Sequence, residues 1–254
     1  MRLGFGLLAL AATLALAGCG GGTNYPDHAT VVGPIGQGSE SVWLYTPAGK
    51  PKDLVVYFHG QGGPTETTPV NHLPWIKHLV ARGSIVVYPR FEIFYEQDPI
   101  PFIVAGVQTA TKRADVDGLP VLSIGYSRGG ALAVEYGAVA AKRGLPVPDQ
   151  IISIFPSSVG NEGHIVDLTP LDHSTQLLIQ MGQNDQVVGR TGAKHLLRRL
   201  KAAGFPAPNI SLDFVSSQSG FVADHGAPLR TSQAAQTAFW APADQLLDDI
   251  DKHS

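Results

Sequence analysis

The sequence predicts an α/β fold with a mostly parallel central sheet and helices on both faces. Beyond residue 40, short apolar runs rich in β-branched residues alternate with longer segments of helical periodicity. The runs are strongly apolar, as strands covered on both faces are. A chain of 254 residues with 44% hydrophobic and 15% charged residues can bury one large core.

Each element follows from a local pattern. Six apolar runs predict the parallel strands, at residues 54–58, 85–88, 121–125, 151–155, 177–181 and 211–215. Residues 41–45 alternate with period two and predict an antiparallel edge strand. Residues 73–80 have helical spacing, with Pro74 in the first turn and Gly83 after the last, and Gly204 closes a helix over 193–203 in the same way.

The remaining segments limit what can be added to this core. Residues 231–250 predict a terminal helix that Pro242 breaks or kinks. An insertion between strands could occupy only residues 158–174, and about seventeen residues are too few for more than a loop or a short helix. We therefore expect one domain from residue 40 to 254, with no large cap domain.

Composition excludes several classes of protein. The net charge is −3 and no run of Lys or Arg exceeds Arg198-Arg199, so we expect no nucleic-acid partner. Cys19 is the single Cys, which excludes an intramolecular disulfide and a multi-thiolate zinc site. No His pair at ligand spacing has a carboxylate beside it in a recognisable pattern, so we expect neither a metal nor another cofactor.

The N-terminus has the pattern of an export signal. Arg2 precedes an apolar stretch, residues 3–17, that is too short to span a membrane. The sequence LAGC at residues 16–19 resembles the bacterial lipobox, which implies that residues 1–18 are removed and that Cys19 is lipidated. The alternative is an ordinary secretory peptide, because ALA at residues 15–17 also fits a cleavage site.

Lipidation of Cys19 implies attachment to a membrane of the bacterial cell envelope. Residues 19–39, rich in Gly and Pro, would then form a flexible tether. In the lipoproteins that this segment resembles, Gly20 after the Cys implies the outer membrane, if the host has one. Without lipidation the protein would be periplasmic or secreted.

A candidate nucleophile follows one of the predicted strands. Gly125-Tyr126-Ser127-Arg128-Gly129 fits the pattern G-x-S-x-G, and an apolar helical pattern follows it. So sharp a turn from strand to helix strains the residue at its apex and brings the flanking residues together, which small side chains allow. The alternative is a turn rich in Gly with no catalytic role, because the chain contains 29 Gly residues.

With this motif the chain resembles the α/β-hydrolase family over residues 40–241. In that family Ser, acid and His follow in this order, and the resemblance implies Asp185 after the strand at 177–181 as the acid and His225 past the last strand as the base. Glu162 is the reserve acid, because some hydrolases carry the acid after the preceding strand. The alternatives are an Asp185 that only shapes a turn and a His225 that is a solvated loop residue.

The resemblance also implies an oxyanion hole, a pair of backbone N–H groups that bind the charged oxygen of the intermediate. The segment HGQGG at residues 59–63 follows its strand as the His-Gly segment of esterases does. It implies that the amides of Gln61 and Arg128 are the donors and that His59 has a structural role.

Together these residues predict a serine hydrolase that cleaves carboxylic esters without a cofactor. Ser127 would attack the ester, His225 would take its proton and Asp185 would hold the imidazole, giving an acyl-enzyme that water releases. A serine peptidase or acyltransferase on the same fold is one alternative, and a non-catalytic surface-binding lipoprotein is another.

The substrate is less well defined by the sequence. With no room for a large lid, we expect a small-molecule or surface-presented ester as the partner. Phe91, Phe94 and Tyr95, after the strand at 85–88, either line an acyl pocket or pack beneath their loop. Nothing in the sequence indicates the oligomeric state.

Overall fold

The computed structural model describes residues 29–63 and 65–251 of the chain. The predicted signal peptide, residues 1–18, and the predicted lipidation site Cys19 lie outside the described residues. None of the helices in the described part of the chain combines the length and the apolar character needed to cross a membrane.

An eight-stranded sheet forms the centre of the fold. Its strands are β1 (Thr30–Ile35), β2 (Val42–Thr46), β3 (Asp53–Phe58), β4 (Ser84–Pro89), β5 (Val121–Tyr126), β6 (Gln150–Ile154), β7 (Gln176–Gly182) and β8 (Ile210–Val215). Their order across the sheet is β1-β2-β4-β3-β5-β6-β7-β8. Neighbours among β3 to β8 are parallel, whereas β1 and β2 pair antiparallel. The mostly parallel sheet is therefore confirmed.

Helices cover both faces of this sheet. They are α1 (Leu73–Arg82), α2 (Ile100–Thr111), α3 (Arg128–Ala140), α4 (Thr191–Ala202), α5 (Gln233–Ala235) and α6 (Ala241–Asp251). Alternate residues of a strand point to opposite faces. Val56 of β3 accordingly belongs to the same apolar cluster as Val134 of α3 and Leu196 of α4, while Val55 belongs to a second cluster with Ile76 of α1.

The N-terminal edge of the sheet differs from the prediction. Residues 30–35, predicted as part of the flexible tether, form β1, whose Thr30 pairs with Thr46 of β2. The domain therefore begins about ten residues before the predicted start at residue 40. For the same reason β2 is an interior strand, with Val42 to Tyr45 buried, and its predicted place at the edge of the sheet is wrong.

The terminal helix contains the predicted irregularity. A π-helical turn, Gln236–Trp240, separates α5 from α6 just before Pro242. Pro242 has no N–H to donate to the carbonyl oxygen of Ala238, four residues earlier, and its ring would clash there in a regular helix. The side chain of Gln180 donates to that carbonyl at 2.9 Å instead.

The loops that follow the parallel strands determine where a site can form. The carboxyl ends of β3 to β8 lie at one edge of the sheet, where side chains distant in sequence meet. Residues 155–175, all of them described, contain neither a helix nor a strand, so no large cap covers this edge from there. The site residues are therefore carried by loops at an open edge.

Candidate active site

Ser127 occupies the turn between β5 and α3 in a strained backbone conformation, with φ 57° and ψ −119°. Positive φ is unfavourable for a residue with a Cβ, so the neighbours must hold it. The Ser127 N–H donates to the carbonyl oxygen of Ile154 at 2.9 Å, and its carbonyl accepts from Gly130 at 2.9 Å and from Ser157 at 3.0 Å. The end of β6 thus fixes the turn.

The glycines around Ser127 are required by close backbone contacts. A Cβ on Gly125 would lie 1.9 Å from the carbonyl oxygen of Gly129, and one on Gly129 would lie 2.3 Å from that of Phe58. Because no side chain fits at these distances, the pattern G-x-S-x-G follows from the geometry of the turn.

The structure brings the three candidate residues Ser127, Asp185 and His225 into one hydrogen-bonded row. His225 Nε2 lies 3.0 Å from Ser127 Oγ, and His225 Nδ1 lies 2.9 Å from Asp185 Oδ2. The Asp185 side chain is fully buried, whereas the His225 side chain is 16% exposed. The reserve acid Glu162 instead accepts a hydrogen bond from the hydroxyl of Tyr95.

The two oxygens of Asp185 have different partners. Oδ1 accepts the backbone N–H groups of Val187 at 2.8 Å and Val188 at 3.1 Å, so Asp185 also shapes its own turn. Oδ2 is then directed at His225. Because an ionised carboxylate only accepts hydrogen bonds, this pairing favours the hydrogen on Nδ1 and leaves the Nε2 lone pair facing Ser127.

Two residues that the sequence analysis missed hold the His225 loop. The Tyr126 hydroxyl donates to the His225 carbonyl oxygen at 2.8 Å. The Ser217 hydroxyl donates to Asn184 Oδ1 at 2.6 Å and accepts from the Ala223 N–H at 2.9 Å. It thereby joins the loop that carries Asp185 to the loop that carries His225. Tyr126 occupies a variable position of its motif and Ser217 lies in no motif, so no sequence signal marks either one.

The segment predicted to supply an oxyanion donor lies beside Ser127. An ideal Cβ on Gly60 would lie only 3.4 Å from Ser127 Cβ, which places the turn leading to Gln61 against Ser127. Arg128 is the first residue of α3, and the first amides of a helix have no acceptor within the helix. The amides of Gln61 and Arg128 are therefore carried by segments adjacent to Ser127.

His59 lies in the interior, below this turn. Its ring is fully buried and stacks in parallel on Phe91, with centroids 3.9 Å apart. Its Nδ1 lies 2.6 Å from the Gly60 carbonyl oxygen and its Nε2 contacts that of Arg90. Burial lowers the pKa of His59 to about 4. These contacts are those of a residue that supports the turn.

The aromatic residues after β4 separate into two groups. Phe91 is fully buried beneath its loop, so the structure excludes it from an open acyl pocket. Phe94 is 83% exposed and Tyr95 is 39% exposed at the edge that carries the site. Within the described residues, no group of three or more His, Cys, Asp or Glu side chains is arranged to bind a metal ion.

Arg128 turns its side chain away from the site. The residue is only 2% exposed, and its guanidinium group donates to Glu92 Oε2 at 2.5 Å and to the Gly160 carbonyl oxygen at 2.8 Å. Burial raises the pKa of Glu92 to about 7, against the opposing effect of the Arg128 charge. The charged group of Arg128, although next to Ser127 in the chain, is therefore held in the interior by Glu92 and Gly160.

Comparison with known proteins supports the fold. No protein-family model matches the chain. Methylphloroacetophenone synthase of Cladonia uncialis is 25% identical over 135 residues, which are 46% of this chain but 5% of that protein. The chain therefore spans about a twentieth of this relative, and the match carries no conclusion about its activity.

Several solved structures resemble nearly the whole chain. Esterase B from Lactobacillus rhamnosis, inhibited by a tributyrin phosphonate, has a TM-score of 0.66 at 15% identity, covering 91% of this chain and 88% of that one. Carboxyl esterase 2 from Tuber melanosporum has a TM-score of 0.58 at 18% identity, covering 90% and 87%. A thermophilic esterase from Thermogutta terrifontis has a TM-score of 0.61 at 16% identity, covering 88% of this chain and 92% of that one. The chain has the α/β-hydrolase fold.

The strain at Ser127 predicts an unusual effect on stability. Removing the Cβ relieves about 1–3 kcal/mol of strain, while Gly costs about 0.5–1 kcal/mol more backbone entropy than Ala. We expect Ser127→Gly to exceed Ser127→Ala in free energy of unfolding by about 1 kcal/mol. Urea denaturation followed by Trp fluorescence measures this difference.

The matched control is the same pair of substitutions at Ser158, an exposed loop residue without positive φ. There the Gly variant should be no more stable than the Ala variant. Equal stabilities of the two Ser127 variants would contradict a strained turn.

Proposed function

We propose that the protein is a serine hydrolase that cleaves carboxylic esters through an acyl-enzyme. The observation that carries the proposal is the row of hydrogen bonds from Asp185 through His225 to Ser127 Oγ, at 2.9 and 3.0 Å. A Ser hydroxyl is a poor nucleophile alone, and an adjacent imidazole held by a buried carboxylate is the arrangement that activates it.

The reaction proceeds in two steps in this proposal. Ser127 Oγ attacks the ester carbonyl carbon while His225 takes its proton, and the amides of Gln61 and Arg128 bind the resulting oxyanion. The intermediate then expels the alcohol, which receives the proton from His225. In the second step a water molecule, deprotonated by His225, attacks the acyl group on Ser127. The bond to Ser127 Oγ then breaks, His225 returns the proton to Oγ, and the acid is released.

The surroundings of the site support an ester as the substrate. The named structural neighbours are esterases, one of them inhibited by a tributyrin phosphonate. Exposed apolar side chains, Phe94 at 83% and Val187 at 72%, lie on loops at the same open edge of the sheet. We infer a small-molecule or surface-presented ester, with apolar groups that these side chains can contact.

Replacement of the nucleophile tests the proposal directly. We expect Ser127→Ala to remain folded and to lower the hydrolysis of p-nitrophenyl esters by at least about a thousandfold, because the acyl-enzyme cannot form. Labelling by a fluorophosphonate probe should disappear together with turnover. Ser158→Ala, at an exposed Ser that belongs to none of these hydrogen bonds, should retain both. Undiminished turnover in Ser127→Ala would refute the assignment.

The acid is tested by comparing Asp185 with Glu162. Asp185→Asn keeps the shape of the side chain but favours the wrong imidazole tautomer, so we expect kcat to fall by about 10³–10⁴. Glu162→Gln should leave kcat within about twofold, since Glu162 bonds Tyr95 and lies outside the row. Steady-state kinetics decide between them, and a larger loss in Glu162→Gln would assign the acid to Glu162.

We also propose that Cys19 carries a lipid that attaches the protein to the cell envelope. Acyl chains contribute about 0.8 kcal/mol per buried CH₂, so two or three chains suffice for stable anchoring. We expect mass spectrometry of the mature protein to find Cys19 as a diacylglyceryl-modified N-terminus, and Cys19→Ala to release the protein from membranes. An unmodified N-terminus at residue 18 would instead identify an ordinary secretory peptide.

A further inference from the structure

The two segments proposed to carry the oxyanion amides both contact the loop after β4, which contains one buried carboxylate. Glu92, in this loop, is fully buried, and its Oε2 accepts a hydrogen bond from Arg128 Nη1 at 2.5 Å. The same loop contacts the other arm, because the Arg90 carbonyl oxygen lies against His59 Nε2 and the Phe91 ring stacks on the His59 ring at 3.9 Å. The loop after β4 therefore contacts both arms of the hole.

The Arg128 guanidinium extends this link to the loops beside the site. Its Nε donates to the Gly160 carbonyl oxygen at 2.8 Å, and its Nη2 contacts that of Glu96. The Tyr95 ring lies against it, with the centroid 4.6 Å from the guanidinium carbon. Arg128 is thus fixed at both ends, by its backbone in the turn after Ser127 and by its side chain in the loops after β4 and β6.

The contribution to stability does not account for this ion pair. Two buried charges lose their hydration, and apolar side chains of similar volume stabilise a fold as well or better. Glu92 Oε1, moreover, has no hydrogen-bond partner within the described residues, which is unfavourable for a buried carboxylate.

We propose that Glu92 is a positioning residue of the oxyanion hole. Its carboxylate fixes Arg128 to the loop that also supports the turn at His59 and Gly60, so that the amides of Gln61 and Arg128 point at the same oxygen. This inference depends on the proposed hydrolase function and adds to it the residue that aligns the two donors.

The test compares the same substitution in two buried ion pairs. Glu135, on α3, is as fully buried as Glu92 and pairs with Arg199 at 2.7 Å, but its hydrogen bonds go to Gly160 and Asn161. Gln keeps the volume of Glu but has one acceptor oxygen and no charge. Glu92→Gln therefore removes the charge that holds the Arg128 guanidinium, while Glu135→Gln leaves the contact between Glu92 and Arg128 in place.

We expect Glu92→Gln to lower kcat for p-nitrophenyl esters by about 10- to 100-fold. KM should stay within about threefold of the wild-type value, because the oxyanion forms only after the substrate has bound. Glu135→Gln should keep kcat within about threefold of the wild-type value, even if its melting temperature falls as much as that of Glu92→Gln. Glu92→Asp keeps the charge and both acceptors and should recover part of the lost kcat.

The outcomes separate this inference from the proposed function. Equal kcat values in Glu92→Gln and Glu135→Gln would overturn the role of Glu92 alone. A wild-type protein that neither hydrolyses esters nor reacts with a fluorophosphonate would overturn the hydrolase proposal and this role with it. Should Glu92→Gln fail to fold, the double variant Glu92→Leu, Arg128→Met removes both buried charges, and full kcat in that folded variant would also overturn the role.

Discussion

The contact between the backbones of Gly125 and Gly129 is the constraint on which the site depends. Only residues without a Cβ can approach to this distance, and the approach bends the chain sharply enough to give Ser127 its positive φ. Strain of about 1–3 kcal/mol at one residue is tolerated because strands and helices packed on both sides of the turn leave it no alternative. The hydroxyl is thereby held at the open edge of the sheet, within reach of His225.

The geometry of Asp185 illustrates how one side chain serves both local structure and chemistry. A carboxylate at a turn is a common structural feature, and Oδ1 has that role with the amides of Val187 and Val188. Because these two hydrogen bonds fix the turn, Oδ2 is directed at His225. The two explanations of this residue offered by the sequence are therefore compatible, since each concerns a different oxygen atom.

The sequence predicts the parts of the fold in which local pattern and burial agree. Strands β3 to β7 are apolar because both faces are covered, whereas β8 lies at the edge of the sheet and is mostly exposed. The order of Ser127, Asp185 and His225 follows a family pattern. β1 was missed because it contains Gly33 and Pro34 and is mostly exposed. Helix α2 was missed because it is apolar on most sides and has Gly106 within it, which hides the helical period.

The supporting contacts could not be predicted, because they join residues far apart in the chain. Glu92 and Arg128 are 36 positions apart, and Tyr126 and His225 are 99 positions apart. No spacing rule connects such pairs, and their meeting depends on where whole loops cross the edge of the sheet. A single sequence therefore identifies the candidate site residues but not the residues that orient them.

The hydroxyl of Ser217 affects which part of the molecule unfolds first. Its two hydrogen bonds join the loops of Asp185 and His225 into one unit at the surface, whereas Ser127 lies in the turn between β5 and α3. Such surface units open at a lower free energy than the core. Gentle warming or dilute denaturant would therefore separate His225 from Ser127 before the sheet unfolds. The protein would then be inactive but still largely folded, and the two residues would meet again on cooling.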